Sequence, residues 1–131
     1  MRRRERRAAW ALAALILAAM LTQAACHRTP TTSGAVPGAD PALGAGLIRS
    51  YGCQACHTIP GVPGADATVG PPLTAFGERH YIAGEVTNTG PNLVRWIMDP
   101  QSIEPTTAMP DAGVTERDAR NIAAYLETLH S

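Results

Sequence analysis

The chain has 131 residues, with 11 basic and 11 acidic side chains, three cysteines and a single phenylalanine. That length fits one small domain plus an export segment, and its apolar core would be thin. No lysine is present, and beyond residue 25 six arginines face ten acids, a balance of −4 that excludes the basic footprint of a nucleic-acid-binding protein.

Arg2, Arg3, Arg4, Arg6 and Arg7 precede an apolar run from Ala8 to Leu21 and small residues up to Cys26. A basic start, a short apolar centre and a small-residue exit describe a secretory signal peptide over residues 1–25. The run is too short and alanine-rich for a membrane span, which takes about 20 apolar residues. Leu21-Thr22-Gln23-Ala24-Ala25-Cys26 resembles a bacterial lipoprotein processing site, which would make Cys26 the lipidated first residue of the mature chain. Gln23 departs from that pattern, where leucine is usual, so cleavage beside Ala24 or Ala25 and an uncleaved anchor are the alternatives. Residues 26–39 are rich in Thr, Pro, Gly and Ser and read as a flexible linker.

The domain is expected over residues 40–131. Asp40-Pro41 pairs an N-cap with a proline at the first helical position, and Leu43, Leu47, Ile48 and Tyr51 follow at helical spacing. Gly44 and Gly46 disfavour a helix unless another helix crosses closely there. From Thr58 to Asn88 the prolines and glycines exclude long regular structure, and a loop of that length needs an organiser such as a large cofactor. A short helix is predicted over Pro91–Met98, with Leu93, Trp96 and Ile97 on one face and Asp99-Pro100 as its stop. The last helix has Thr115 and Asp118 as a capping box and Ala119, Ile122, Ala123, Leu126 and Leu129 as its apolar stripe. No stretch shows sustained strand alternation. The domain reads as all-α with long loops.

Cys53-Gln54-Ala55-Cys56-His57 has the spacing of a haem c attachment site. Two intervening residues let two thiols reach two vinyl groups on one side of a porphyrin, and the next histidine falls beneath the iron as an axial ligand. A redox dithiol would want a strand before it, zinc would want a fourth ligand, and a disulfide would leave His57 unexplained. For the other axial position Met98 lies in a predicted helix, whereas Met109 lies in a loop that Pro110 stiffens and is the better candidate. His80 and His130 could also ligate in principle. An axial imidazole gives its second N–H to a backbone carbonyl, and Pro71 is the expected source. Arg79, Tyr81 and Trp96 are candidates to bond haem propionates or flank the methionine, with ordinary packing as the equal alternative.

These residues resemble the class I cytochrome c family: a helix into the cysteine pair, Gly70-Pro71 after it, Met109-Pro110, and a terminal helix bearing Tyr125. The resemblance covers about residues 42 to 129. It implies three to five helices wrapped around one covalently bound haem, with Gly44 crossing against Tyr125. It also implies that Pro71 supplies the carbonyl, that Met109 supplies the axial sulfur, and that Thr107 bonds a propionate. A narrower likeness through Val69–Leu73, Tyr81–Gly84 and Trp96–Gln101 is similar to the cytochrome c domain of subunit II of caa3-type cytochrome c oxidases. The copper-binding domain and paired membrane helices of such subunits have no counterpart here.

The expected function is therefore electron transfer without substrate chemistry, between periplasmic or membrane redox partners and towards a terminal oxidase. The expected protein is an exported monomer, tethered to the membrane by a lipid on Cys26. A haem subunit docked permanently on an oxidase or a periplasmic dehydrogenase is one rival. A haem protein that binds peroxide or a gas at an open iron is the other, and it requires that Met109 does not ligate.

Overall fold

The computed structural model describes residues 36–131. The expected signal peptide and Cys26 lie outside the described residues.

Three α-helices form the frame, α1 (Pro41–Ser50), α2 (Gly90–Met98) and α3 (Glu116–Glu127). Asp40 caps α1 by accepting N–H bonds from Ala42 at 2.8 Å and Leu43 at 3.4 Å, with proline in the first turn. Thr89 caps α2 through the Asn92 N–H, and Asp99 ends it while capping the 3-10 turn Pro100–Ser102. Thr115 caps α3 through the Asp118 N–H. The return half of the expected capping box is replaced: the Asp118 carboxylate accepts the Tyr51 hydroxyl at 2.8 Å, which ties α1 to α3.

α1 crosses α3 at Gly44. A Cβ there would overlap the Asn121 carbonyl oxygen and lie 2.9 Å from Cβ of Tyr125, so only glycine permits the approach. Gly46 meets nothing within 4 Å, so the close crossing involves one glycine, not both. The buried line of α1 consequently runs through Gly44 and Ile48, and Leu43, expected on the apolar face, is 58% exposed. Ile48, Leu93, Val94, Ile97, Ala119, Ile122, Ala123 and Leu126 form the core between the helices. Val94 takes the central place on α2 that periodicity gave to Trp96, which is half-buried.

Two features depart from the all-α expectation with its flexible lead. Tyr81–Ile82 (β1) and Val86–Thr87 (β2) form a minimal antiparallel ladder, Tyr81 opposite Thr87, around a turn with Ala83 and Gly84 at positive φ. Residues 36–39 form a turn that packs on the domain: Ala39 N–H bonds the Val36 carbonyl, and Val36 lies half-buried against the core. Arg120 donates to the Pro37 carbonyl at 2.6 Å and Asn121 accepts the Asp40 N–H at 2.9 Å. The packed structure thus includes at least four residues before the expected boundary.

The long loop after the cysteine pair adds Ile59, Val62 and Ala65 to the same core. It is closed by an Ile59 N–H to Ala65 carbonyl bond at 2.9 Å, and the Tyr125 hydroxyl on α3 donates to the Pro60 carbonyl at 2.6 Å. Among the described residues no helix is long and apolar enough to cross a membrane.

Candidate functional site

The Cys53–Ala55 3-10 turn follows α1 directly, entered through Gly52 in the left-handed region at φ 79°. Cys56 and His57 both donate their N–H groups to the Cys53 carbonyl, at 3.2 and 3.1 Å. The two sulfurs and the imidazole therefore leave one tight turn. Both cysteines are half-buried free thiols, and burial pushes the Cys53 thiol above its ordinary value, with a smaller contribution in the same direction from Cys56. A redox dithiol needs the opposite shift, towards thiolate. Among the described residues no three His, Cys, Asp or Glu side chains gather as a site for a bare ion such as zinc.

His57 Nδ1 lies 2.7 Å from the Pro71 carbonyl oxygen. A carbonyl can only accept, so Nδ1 carries the proton and Nε2 keeps its lone pair for a metal. Gly70 lies on the imidazole face, where a Cβ would come within 2.5 Å of Cε1. The Gly70 N–H bonds the Cys56 carbonyl at 2.7 Å and the Leu73 N–H bonds the Thr58 carbonyl at 2.8 Å, so residues 70–73 form a strap along the histidine. Val69, just before it, is 83% exposed.

Met109 is half-buried in the loop between the Pro100–Ser102 turn and α3. Its N–H bonds Thr107 Oγ1 at 3.2 Å, and its carbonyl accepts from Gln101 Nε2 at 2.8 Å, which holds the residue from two sides. Thr107 is thus turned towards the Met109 backbone, with its own hydroxyl proton still available. Met98 packs half-buried on the core from the end of α2, as expected of a helix residue.

Of the three propionate candidates, Arg79 is engaged elsewhere. Its guanidinium donates to the carbonyls of Pro72 and Thr74 and lies over the Phe76 ring, 5.1 Å from the centroid. Tyr81 is 60% exposed on β1, and Trp96 packs half-buried against the core. His80 is exposed, and His130 is exposed with Nδ1 3.9 Å from Glu78. The sequence reasoning missed Gln101 as a brace of Met109 and Arg79 as a brace of the strap. Each joins a side chain to a backbone carbonyl in an irregular loop, where no periodicity marks the partner.

Two cysteines on one tight turn with no disulfide between them, an imidazole with its proton fixed on the outer nitrogen, and a methionine braced in a separate loop form a donor set suited to haem c. The comparisons with known proteins agree. The family model for cytochrome c matches residues 41–130, and the chain belongs to the cytochrome c family. Its cofactor is haem c, covalently bound, with iron at the centre. The chain is 38% identical over 84 residues to cytochrome c oxidase subunit 2 of Alkalihalophilus pseudofirmus, a match covering 63% of this chain and 24% of that protein. It is 32% identical over 81 residues to the same subunit of Bacillus subtilis, and 30% over 86 residues to that of Bacillus sp. strain PS3, covering 60% and 63% of this chain and 23% and 24% of those proteins. The chain thus spans about a quarter of the length of the curated relatives it matches, and the expected likeness to oxidase subunit II agrees with them. No solved structure matches the chain.

Proposed function

We propose that this chain is a single-haem electron carrier that serves a respiratory oxidase from outside the cytoplasm. The observation that carries the proposal is the Cys53–His57 turn, from which Cys53, Cys56 and His57 leave together, with His57 Nδ1 committed to the Pro71 carbonyl. Bound haem c supplies a one-electron iron couple. In this reading Cys53 and Cys56 would hold the haem as thioethers, and His57 Nε2 and Met109 Sδ would be the protein ligands of its iron. With both residues bound, the iron would have no open site for a substrate, and the chain would carry electrons without bond-making chemistry of its own.

The chain's residues then serve to keep the donor set fixed. The Pro71 carbonyl orients the imidazole and raises its basicity. Thr107 and Gln101 hold the methionine loop so that the thioether stays in place in both oxidation states. Trp96 supports the core behind the site, Tyr81 stands at the exposed rim, and the free hydroxyl proton of Thr107 is available to a propionate. A Cys26 lipid following a cleaved signal peptide would keep the domain near its membrane partners and raise its effective concentration there.

The relatives matched are oxidase subunits, which also favours a second reading: a haem domain that stays docked on its oxidase. The experiment uses the haem-loaded full chain. Its oxidised spectrum is expected to show the weak sulfur-to-iron charge-transfer band, and Met109→Ala is expected to abolish it. The reduced protein is expected to be reoxidised by a terminal oxidase well above the rate of autoxidation. Absence of the band in the unaltered protein, or spectral change on adding peroxide, would overturn the carrier reading in favour of an open iron. Co-purification with an oxidase in mild detergent would select the docked subunit.

A further inference from the structure

We propose that Glu104 is a positioning residue for Met109: its carboxylate closes the turn that carries the methionine and so keeps small molecules from taking the thioether's place. The inference rests on the reading of Met109 as an axial ligand.

The segment from Pro100 to Met109 is a closed circuit of hydrogen bonds. Its base is the 3-10 turn Pro100–Ser102, in which Pro100 is fully buried. Asp99 secures that turn, taking the Ser102 N–H on its carboxylate at 3.2 Å and the Ser102 hydroxyl on its carbonyl at 2.7 Å. Glu104 leaves the base with its N–H on the Pro100 carbonyl at 3.0 Å. Pro105 comes next and has no N–H to give, so the placing of the following residues falls to Glu104. One of its carboxylate oxygens, Oε1, takes both the N–H and the hydroxyl of Thr106, at 2.9 and 2.6 Å. The Glu104 carbonyl takes the Thr107 N–H at 3.1 Å. Thr107 Oγ1 then accepts the Met109 N–H at 3.2 Å, and Gln101 reaches from the base to the Met109 carbonyl at 2.8 Å, which completes the circuit.

Glu104 therefore acts on both sides of Pro105, through main chain and side chain together. The Thr106 hydroxyl stands at the length of a charge-assisted bond. That hydroxyl, with the Thr106 N–H, holds the Glu104 carboxyl below its ordinary value. Glu85, from the turn between β1 and β2, approaches the same carboxylate, so charge and hydrogen bonding have to be separated. Glu104→Ala and Glu104→Gln both remove the charge beside Glu85. Only glutamine keeps an oxygen that can accept from Thr106.

The test titrates the oxidised, haem-loaded full chain with imidazole, which reaches the iron when Met109 moves away. Its apparent affinity scales with the fraction of chains whose loop is open. For Glu104→Ala, imidazole is expected to bind about tenfold more tightly, the worth of one hydrogen bond to a charged group. The Thr106 amide, left without its acceptor, is expected to exchange about tenfold faster. Glu104→Gln is expected to stay within about threefold of the unaltered protein on both measures. Thr106→Val loses the hydroxyl and keeps the N–H, so a smaller shift in the same direction is expected; it decides the matter alone if Glu104→Ala does not fold. Unchanged imidazole affinity in Glu104→Ala would overturn the proposal, as would equal tightening in Glu104→Gln. So would an Ile122 amide in α3 that speeds up as much as Thr106, the mark of general loosening. An unaltered protein without the sulfur-to-iron band, or one that keeps the band while binding imidazole, would instead overturn the reading of Met109.

Discussion

Gly44 and Gly46 lie two positions apart on one helix and should respond oppositely to a methyl group. Gly44→Ala drives a Cβ into the Asn121 backbone, and overpacking of this kind costs about 1–3 kcal/mol. Gly46→Ala meets open space and should gain roughly 0.5–1 kcal/mol from helix propensity alone. Urea midpoints of the two haem-loaded variants check this, and a stable Gly44→Ala would refute the close crossing. The contrast shows what a residue pattern does and does not carry. Cys53, Cys56 and His57 are legible because their chemistry is contiguous in the chain. The proximity of Gly44 to Tyr125 was legible only through family resemblance, and nothing in the sequence separates Gly44 from Gly46. Arg79 was recognisable as a residue of interest, but its attachment to the Pro72 carbonyl depends on backbone angles set by two prolines and a distant ring.

At the scale of elements, capping made α1 and α3 legible, and α2 showed through its apolar face and its Asp99-Pro100 stop. Asp40, Thr89 and Thr115 each take an N–H bond from the first turn they precede. The β1–β2 ladder was not legible, because two-residue strands are too short to alternate. Nor was the docking of residues 36–39, since Gly and Pro read as a loop whether or not an arginine on α3 pins it. The Tyr51–Asp118 bond between α1 and α3 has a consequence in acid. The Tyr51 hydroxyl, with smaller help from Thr115 and Arg117, holds the Asp118 carboxyl below its ordinary value. The folded chain then binds fewer protons than the unfolded one, so this contribution is present above the ordinary aspartate value and is lost as pH falls through the depressed one. Tyr51→Phe is expected to flatten the acid limb of a plot of thermal midpoint against pH between about pH 6 and pH 2; parallel curves would exclude the bond as a source of stability. Glu127 has the reverse sign. Burial raises its carboxyl, with His130 pulling it partly back, and its Oε1 has no partner. Its folded form holds the proton more tightly, so stability falls as pH climbs from the ordinary glutamate value through the raised one. Glu127→Gln should therefore raise the thermal midpoint at neutral pH and leave it nearly unchanged in acid.

For the whole molecule, the balance of core and cofactor matters most. The buried set contains one phenylalanine and otherwise small or aliphatic side chains, little for a domain of this length. Small domains with thin cores lean on a bound group for stability. Cys53→Ser combined with Cys56→Ser is expected to leave a chain whose near-ultraviolet circular dichroism is lost and whose urea transition is broad, while the haem-loaded protein unfolds cooperatively. A sharp transition in the double variant would mean that Ile59, Val62, Ala65 and the helix core suffice alone. The long loop is ordered by its own bridge and by Tyr125 on α3, and its buried residues join the helix core. The backbone bonds that help order it were not legible, because turns closed by such bonds leave no periodic trace.

Val69 is a large apolar side chain that water reaches freely, 83% exposed beside the glycine on the His57 face. Lysine, the usual source of a strong positive field, is absent from the chain altogether. A partner meeting the molecule there would displace water from a branched hydrocarbon instead of matching ions. Rates governed by ion matching fall steeply as salt rises. Here the bimolecular rate is expected to change less than about threefold between roughly 0.02 and 0.5 M salt, and Val69→Ser to lower it at every ionic strength. Such a surface would work in brine almost as well as in dilute buffer.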